Sequence, residues 1–150
     1  MANDGIGARV LRKEDKRFIT GKGRYTDDIA LSGTTHAQFV RSPHAHARIK
    51  SIDIGEAAAS PGVVAVLTGA DLADDRIGGL ICGWMIHSKD GSPMKAGAHP
   101  AIAHDIARYV GDIVAVVVGE SRDAARDGAE KVMVEYEELP MVVALADALA

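Results

Sequence analysis

Apolar residues along this chain fall in short periodic runs, and glycine and proline punctuate the gaps between them. Residues 35–41 alternate, with Ala37 and Phe39 on one side and Gln38 and Val40 on the other, and Ser42-Pro43 ends the run, which predicts a strand. In residues 47–54 the apolar positions are Ala47 and Ile49, then Ile52 and Ile54. The period-two pattern therefore changes face near Lys50 and Ser51, and predicts a second strand with a bulge there. Residues 56–60 are alanine-rich, but Pro61-Gly62 forbids continuation, so the helix is little more than one turn. The unbroken aliphatic run 63–67 predicts a strand covered on both faces, with Thr68 placed to cap a turn beginning at Gly69.

Further along, residues 109–118 carry Ile113, Val114, Val116, Val117 and Val118, the pattern of a fully apolar central strand. Ser121 is a good N-cap and Asp123 lies where a helix dipole favours an anion. Ala124, Ala125, Gly128, Ala129 and Val132 then share one face at helical spacing, and such small residues let a helix lie close on a sheet. Residues 132–136 read as a strand leaving that helix, with Glu135, Glu137 and Glu138 solvated before Leu139-Pro140 stops it. Two strand-helix-strand units result, and the class is α/β or α+β. The flanks are different. Residues 9–17 crowd charges around Val10 and Leu11, and Gly21, Gly23 and Asp27-Asp28 announce turns, so residues 1–35 are expected to form an extended arm. Residues 74–107 are interrupted too often for long elements, and loops of that length are usually functional or docked on something.

Composition narrows the function more than the fold. The 150 residues are 47% hydrophobic and 25% charged, which suits one globular core. Seventeen basic against twenty-one acidic side chains give a net charge of −4, so no basic field exists to attract nucleic acid. The longest uncharged runs, such as residues 77–86, are far shorter than the ~20 residues a membrane-spanning helix requires. The first seven residues lack the basic start and apolar stretch of a secretory signal. The single cysteine, Cys82, allows no internal disulfide; it sits among Leu80, Ile81 and Trp84 and reads as a buried structural thiol, and a cytoplasmic setting fits.

No self-contained catalytic set emerges. His44 and His46 share one face if their segment is a strand, as a metal site would want, but Pro43 weakens that strand and no carboxylate lies close in sequence. His36, His87, His99 and His104 are scattered and receive no role. The glycines around Gly5, Gly7 and Arg9, and those flanking Lys22 at Gly21 and Gly23, lack the strand before and helix after that a nucleotide loop needs. The acid pairs Asp27-Asp28, Asp74-Asp75 and Glu137-Glu138 read as solvated charges, and no Gly-x-Ser-x-Gly elbow is present. Catalytic and metal residues are therefore expected to be none within the chain, and residues for a cofactor are not identified.

Four ordered blocks carry a resemblance over nearly the whole chain: RVLRKEDKRFITGKGRYTDDI (9–29), HAQFVRSPHAHARIKSIDI (36–54), PGVVAVLTGADL (61–72), and the run from Lys89 to Val143 that includes AIAHDIARYVGDIVAVVVGESRDAARDGAEKVMVEYEELP. They resemble the large subunits of the molybdenum hydroxylases, the family of xanthine dehydrogenase, aldehyde oxidase and carbon monoxide dehydrogenase. The matching portion is the a/b hammerhead domain near the start of that subunit. The resemblance implies a hammerhead domain over 36–143 and, at 144–150, the start of a linker to a molybdenum-binding domain. It also implies molybdopterin held elsewhere in the full-length subunit, iron-sulfur clusters and FAD on partner subunits or domains, and an isolated chain that is inactive. Arg41, Ser42, Pro43, His44, His46, Gly21, Arg24, Asp27, Tyr109 and Gly111 match the family's signature runs, with no catalytic role attached to them. Ile113 departs from it, standing where the family often has proline. The alternatives are a free-standing binding or assembly module of the same fold and, further behind, a small metal-binding protein using His44 and His46.

Overall fold

The computed structural model describes residues 6–7, 10–81 and 83–149. The chain divides into two compact units, Met1–Thr34 and Thr35–Ala150.

In the first unit, Asp15–Ile19 forms a short helix, α1, where an extended arm is expected from the sequence. Glu14, Asp15, Lys16 and Arg17 are adequate helix formers, and one turn needs no apolar face to register in a periodic pattern. Arg12 pairs with Asp15 at 2.9 Å, and the ring of Phe18 stacks on Tyr25 with centroids 4.9 Å apart. A Cβ at Gly23 would run into the Phe18 ring, so this glycine permits the stack. The Tyr25 amide donates to Asp28 Oδ2 at 2.8 Å over a 3₁₀ turn at Thr26–Asp28.

The second unit runs β1 (His36–Arg41), β2 (Ala47–Asp53), α2 (Gly55–Ala58), β3 (Val63–Thr68), α3 (Gly69–Asp74), β4 (Ile106–Ala107), β5 (Ile113–Gly119), α4 (Arg122–Ala129), β6 (Met133–Glu138) and α5 (Leu145–Ala148). Its strands form two antiparallel sheets, ordered β1-β5-β3 and β4-β2-β6. Both strand-helix-strand units are present, but each begins in one sheet and ends in the other, so their strands do not pair. The class is mixed, with small antiparallel sheets and few helices. The bulge falls where the pattern changes face, as the β2–β6 register shifts between Ile49 and Ser51.

The core gathers residues from both sheets and from α2 and α4. Ala57, Ala115, Val117 and Val132 are buried there, packed by Val40, Ile52, Ile54, Val63, Val66, Ala129 and Val134. Helix α4 approaches closely because Gly128 has no side chain. A Cβ there would stand 2.7 Å from Val63 Cγ2 and 3.0 Å from Val117 Cγ1. Its N-terminus is capped as its sequence indicates, with Ser121 Oγ accepting the Ala124 amide at 3.1 Å. At α3 the reciprocal bonds dominate, and Asp71 Oδ2 accepts both the Thr68 amide and hydroxyl at 2.7 Å.

In this second unit three expectations change. Strand β3 is not covered on both faces, since Val64 is 57% and Leu67 40% exposed. It pairs with β5 alone and has one face to solvent, and a run without polar residues cannot mark which face that is. Strand β5 is central, but it begins at Ile113; residues 109–112 form a turn with Gly111 at φ +92 and the Asp112 amide bonded to the Tyr109 carbonyl. The stretch 74–107 is not without order. It holds β4 and a hairpin in which His87 bridges Pro93, with the Met94 amide donating to Ile86 O and that of Ser88 to Ser92 O, both at 2.9 Å. Cys82, Gly5 and Arg9 lie outside the described residues.

Candidate functional site

The signature run Arg41-Ser42-Pro43-His44-Ala45-His46 links β1 to β2, and the structure brings it against the turn before β5. Ser42 is 2% exposed; its amide donates to the Asp112 carbonyl, and its own carbonyl accepts the Gly111 amide, both at 2.8 Å. Arg41 Nη1 donates to the Gly111 carbonyl at 2.8 Å. Ser42 Oγ accepts the His44 amide at 3.1 Å and donates to the His44 carbonyl at 3.2 Å. Burial raises the Tyr136 phenol above its usual value; the Ser42 hydroxyl pulls the other way and the Asp112 charge adds to the rise.

Asp112, which nothing in the pattern singles out, is the hub of the cluster. It is 7% exposed, and its Oδ2 accepts the Arg108 amide at 2.9 Å. Its charge also bears on Tyr109, whose phenol is raised by desolvation first and by Asp112 second. The one signal available was an acid between a glycine and an all-apolar strand, a position too generic to point at.

Other singled-out residues are dispersed. His44 Nδ1 lies 3.4 Å from Glu138 Oε1, and His46 Nδ1 lies 2.7 Å from the Pro140 carbonyl, so each ring faces a protein acceptor. Glu137 lies 3.7 Å from Arg48 on the neighbouring strand, so the Glu137-Glu138 pair is split between two partners. Gly21 turns the chain at φ +69, Arg24 is exposed, and Asp27 sits in the 3₁₀ turn. Among the described residues, no three His, Cys, Asp or Glu side chains converge on a point where a metal could sit.

Two grooves open on the second unit. One, about 510 Å³, is lined by His36, Gln38, Arg122 and Arg126, and the other, about 370 Å³, by Lys50, Ser51, Thr68, Asp71 and His104. More telling is the outer face of the β1-β5-β3 sheet. The register puts Phe39, Val116 and Leu67 in one row across all three strands, with Phe39 45% and Leu67 40% exposed and Val64 close by in sequence. Trp84, Met85 and Ile86 at the base of the hairpin, and Met141 to Val143 after β6, are exposed as well. Exposed apolar residues in such number mark faces that a partner or another domain can cover.

The two-sheet scaffold is that of a domain shared with known proteins. Residues 20–140 match the family described as aldehyde oxidase and xanthine dehydrogenase, a/b hammerhead domain. The chain is 43% identical over 138 residues to the nicotine 6-hydroxylase large subunit of Paenarthrobacter nicotinovorans, covering 92% of this chain and 16% of that one. The structure of quinoline 2-oxidoreductase from Pseudomonas putida 86 superimposes with a TM-score of 0.82 at 46% identity, over 93% of this chain and 17% of that one. A carbon monoxide reduced Cu,Mo-CO dehydrogenase superimposes with a TM-score of 0.74 at 41% identity, over 96% and 17%. The chain belongs to the aldehyde oxidase and xanthine dehydrogenase family, as its a/b hammerhead domain. It spans about one sixth of the length of these three relatives.

The molybdenum group that this family implies does not fit the residues described. Both grooves lie open to solvent, whereas a pterin cofactor needs an enclosed pocket with converging polar groups. No chemical step is therefore assigned to this chain's side chains.

Proposed function

We propose that these 150 residues are the N-terminal docking segment of the large subunit of a molybdopterin-dependent hydroxylase acting on an aldehyde, purine-type or carbon monoxide substrate. The cofactor and its catalytic base belong to later parts of the same subunit, to which residues 144–150 begin the link. Electrons leave through an iron-sulfur small subunit and a flavin-bearing medium subunit, in the cytoplasm. The observation that carries this reading is the apolar row Phe39, Val116 and Leu67, whose two outer members are exposed at 45% and 40%. The hairpin and the segment after β6 extend the same covering requirement to two further places.

The test is the native gene product. An intact mass several times that of this chain, with molybdenum in the purified material and none retained by residues 1–150 alone, is the expected result. A native product of this length, purifying alone, contradicts it and favours the free-standing module. So does molybdenum-dependent dye reduction by the isolated chain.

A further inference from the structure

The two histidines of the signature run are left without a role by the docking reading, and both turn toward the place where the chain leaves β6. We propose that His44 and His46 form an exit clamp that fixes the path of the polypeptide out of the β4-β2-β6 sheet. Pro140 has no N–H, so the β2–β6 ladder cannot continue past Leu139. The Leu139 amide makes the last backbone bond, donating to the His46 carbonyl at 3.0 Å. The Pro140 carbonyl would then be left to water, but the His46 ring takes it, with Nδ1 at 2.7 Å. A carbonyl can only accept, so the ring carries its proton on Nδ1. His44 sets its Nδ1 3.4 Å from Glu138 Oε1, an ion pair when the ring is protonated, and its ring packs on Tyr136 with centroids 4.9 Å apart. Three successive residues, Glu138, Leu139 and Pro140, are thus each held by one of two histidines.

A clamp holds only if its base is rigid. Here the base is Ser42, buried at 2% exposure, with its backbone bonded both ways to the turn before β5 and its hydroxyl tied to the His44 amide. The residue before a proline is confined to extended backbone, so Leu139 adds little slack of its own. What leaves the clamp is Met141, Val142 and Val143, exposed at 61%, 64% and 77%. Their direction is set at Pro140. That this direction serves assembly with the remainder of the large subunit rests on the docking reading; the clamp itself does not.

The experiment uses this chain with His46→Ala, His46→Asn and His46→Gln. The asparagine amide nitrogen takes nearly the place of Nδ1, whereas glutamine reaches toward that of Nε2. Amide exchange at Leu139 and elastase cleavage within 141–144 are measured against exchange at the other β2 and β6 amides. The alanine variant is expected to raise both rates at the exit about tenfold, the loss of one good hydrogen bond. Asparagine should restore them and glutamine should not, while the remaining strand amides keep their protection. Unchanged exchange at Leu139, or an equal rise along the whole of β2 and β6, overturns the clamp. Should the variants fail to fold, nitrogen-15 spectra of the wild-type chain decide. An Nδ1–H ring at His46 supports the clamp, and an Nε2–H ring sinks it. A clamp that passes these tests in a native product of only this length would refute the docking reading and leave the clamp standing.

Discussion

Replacing Asp112 is the sharpest probe of the cluster that joins the signature run to β5. In Asp112→Ala the Arg108 amide loses a charged acceptor at 2.9 Å, at a part-buried site. Hydrogen bonds to charged groups contribute about 1.5–3 kcal/mol, and a donor left unsatisfied keeps the full penalty. Tyr109 loses only a neighbouring charge, and at 45% exposure its phenol stays hydrated, so it adds under about 1 kcal/mol. The expected loss is about 3 kcal/mol. Asp112→Asn keeps an acceptor oxygen for the Arg108 amide without the charge, and should cost about 1–1.5 kcal/mol. Tyr109→Phe should stay under about 1 kcal/mol. Urea unfolding of the 150-residue chain followed by circular dichroism reads these values, provided the denaturant slope matches wild type. An Asp112→Ala variant within about 0.5 kcal/mol of wild type, or an asparagine variant as damaged as alanine, would refute the assignment of Asp112 as the hub.

Gly128→Ala gains about 1 kcal/mol of helix propensity but forces a Cβ to within 2.7 Å of Val63, a stiff β-branched side chain, so a net loss of about 1 kcal/mol is expected by thermal or urea unfolding; a stabilised variant would mean that α4 sits further from the sheet. At α3 the Thr68 hydroxyl and amide hold the Asp71 carboxyl below its usual value of 3.8. Stability from a lowered carboxyl is complete above the unfolded value and is lost as pH falls through the folded one. Asp71→Ala should therefore cost about 1 kcal/mol from pH 8 to 5, and that cost should shrink below about pH 3.8. A cost that does not change with pH down to acid unfolding would show that the cap contributes nothing through its charge.

Much of the second unit can be read from alternation and punctuation. The stop at Ser42-Pro43, the face change at Lys50-Ser51 and the Ser121 cap are local events, and each has a residue that causes it. Pairing is another matter. β5 meets β1 and β3, and β2 meets β6, across separations that no local pattern records. Strand β4, two residues long, is too short to show a period, and α1 has no apolar stripe to reveal it. Family membership was legible because it rests on the identities of residues in order, whereas the Asp112 hub and the histidine contacts rest on geometry. His44 and His46 show the gap well. Their spacing suggests a shared ligand, but folding aims them at Glu138 and Pro140, more than ninety positions away.

The strand orders β1-β5-β3 and β4-β2-β6 also govern how this domain can emerge from a ribosome. None of the first three strands pairs with another of them, so no ladder can close until β4 has been made, and neither sheet is complete before β5 and β6. At about 5–20 residues per second, β1 waits about 4–16 s for its partner. During that wait its valine and phenylalanine positions stand open to chaperones and to one another. Any truncation that removes residues after 112 does more than shorten the product, because it takes away β5, the centre of one sheet, and β6, an edge of the other.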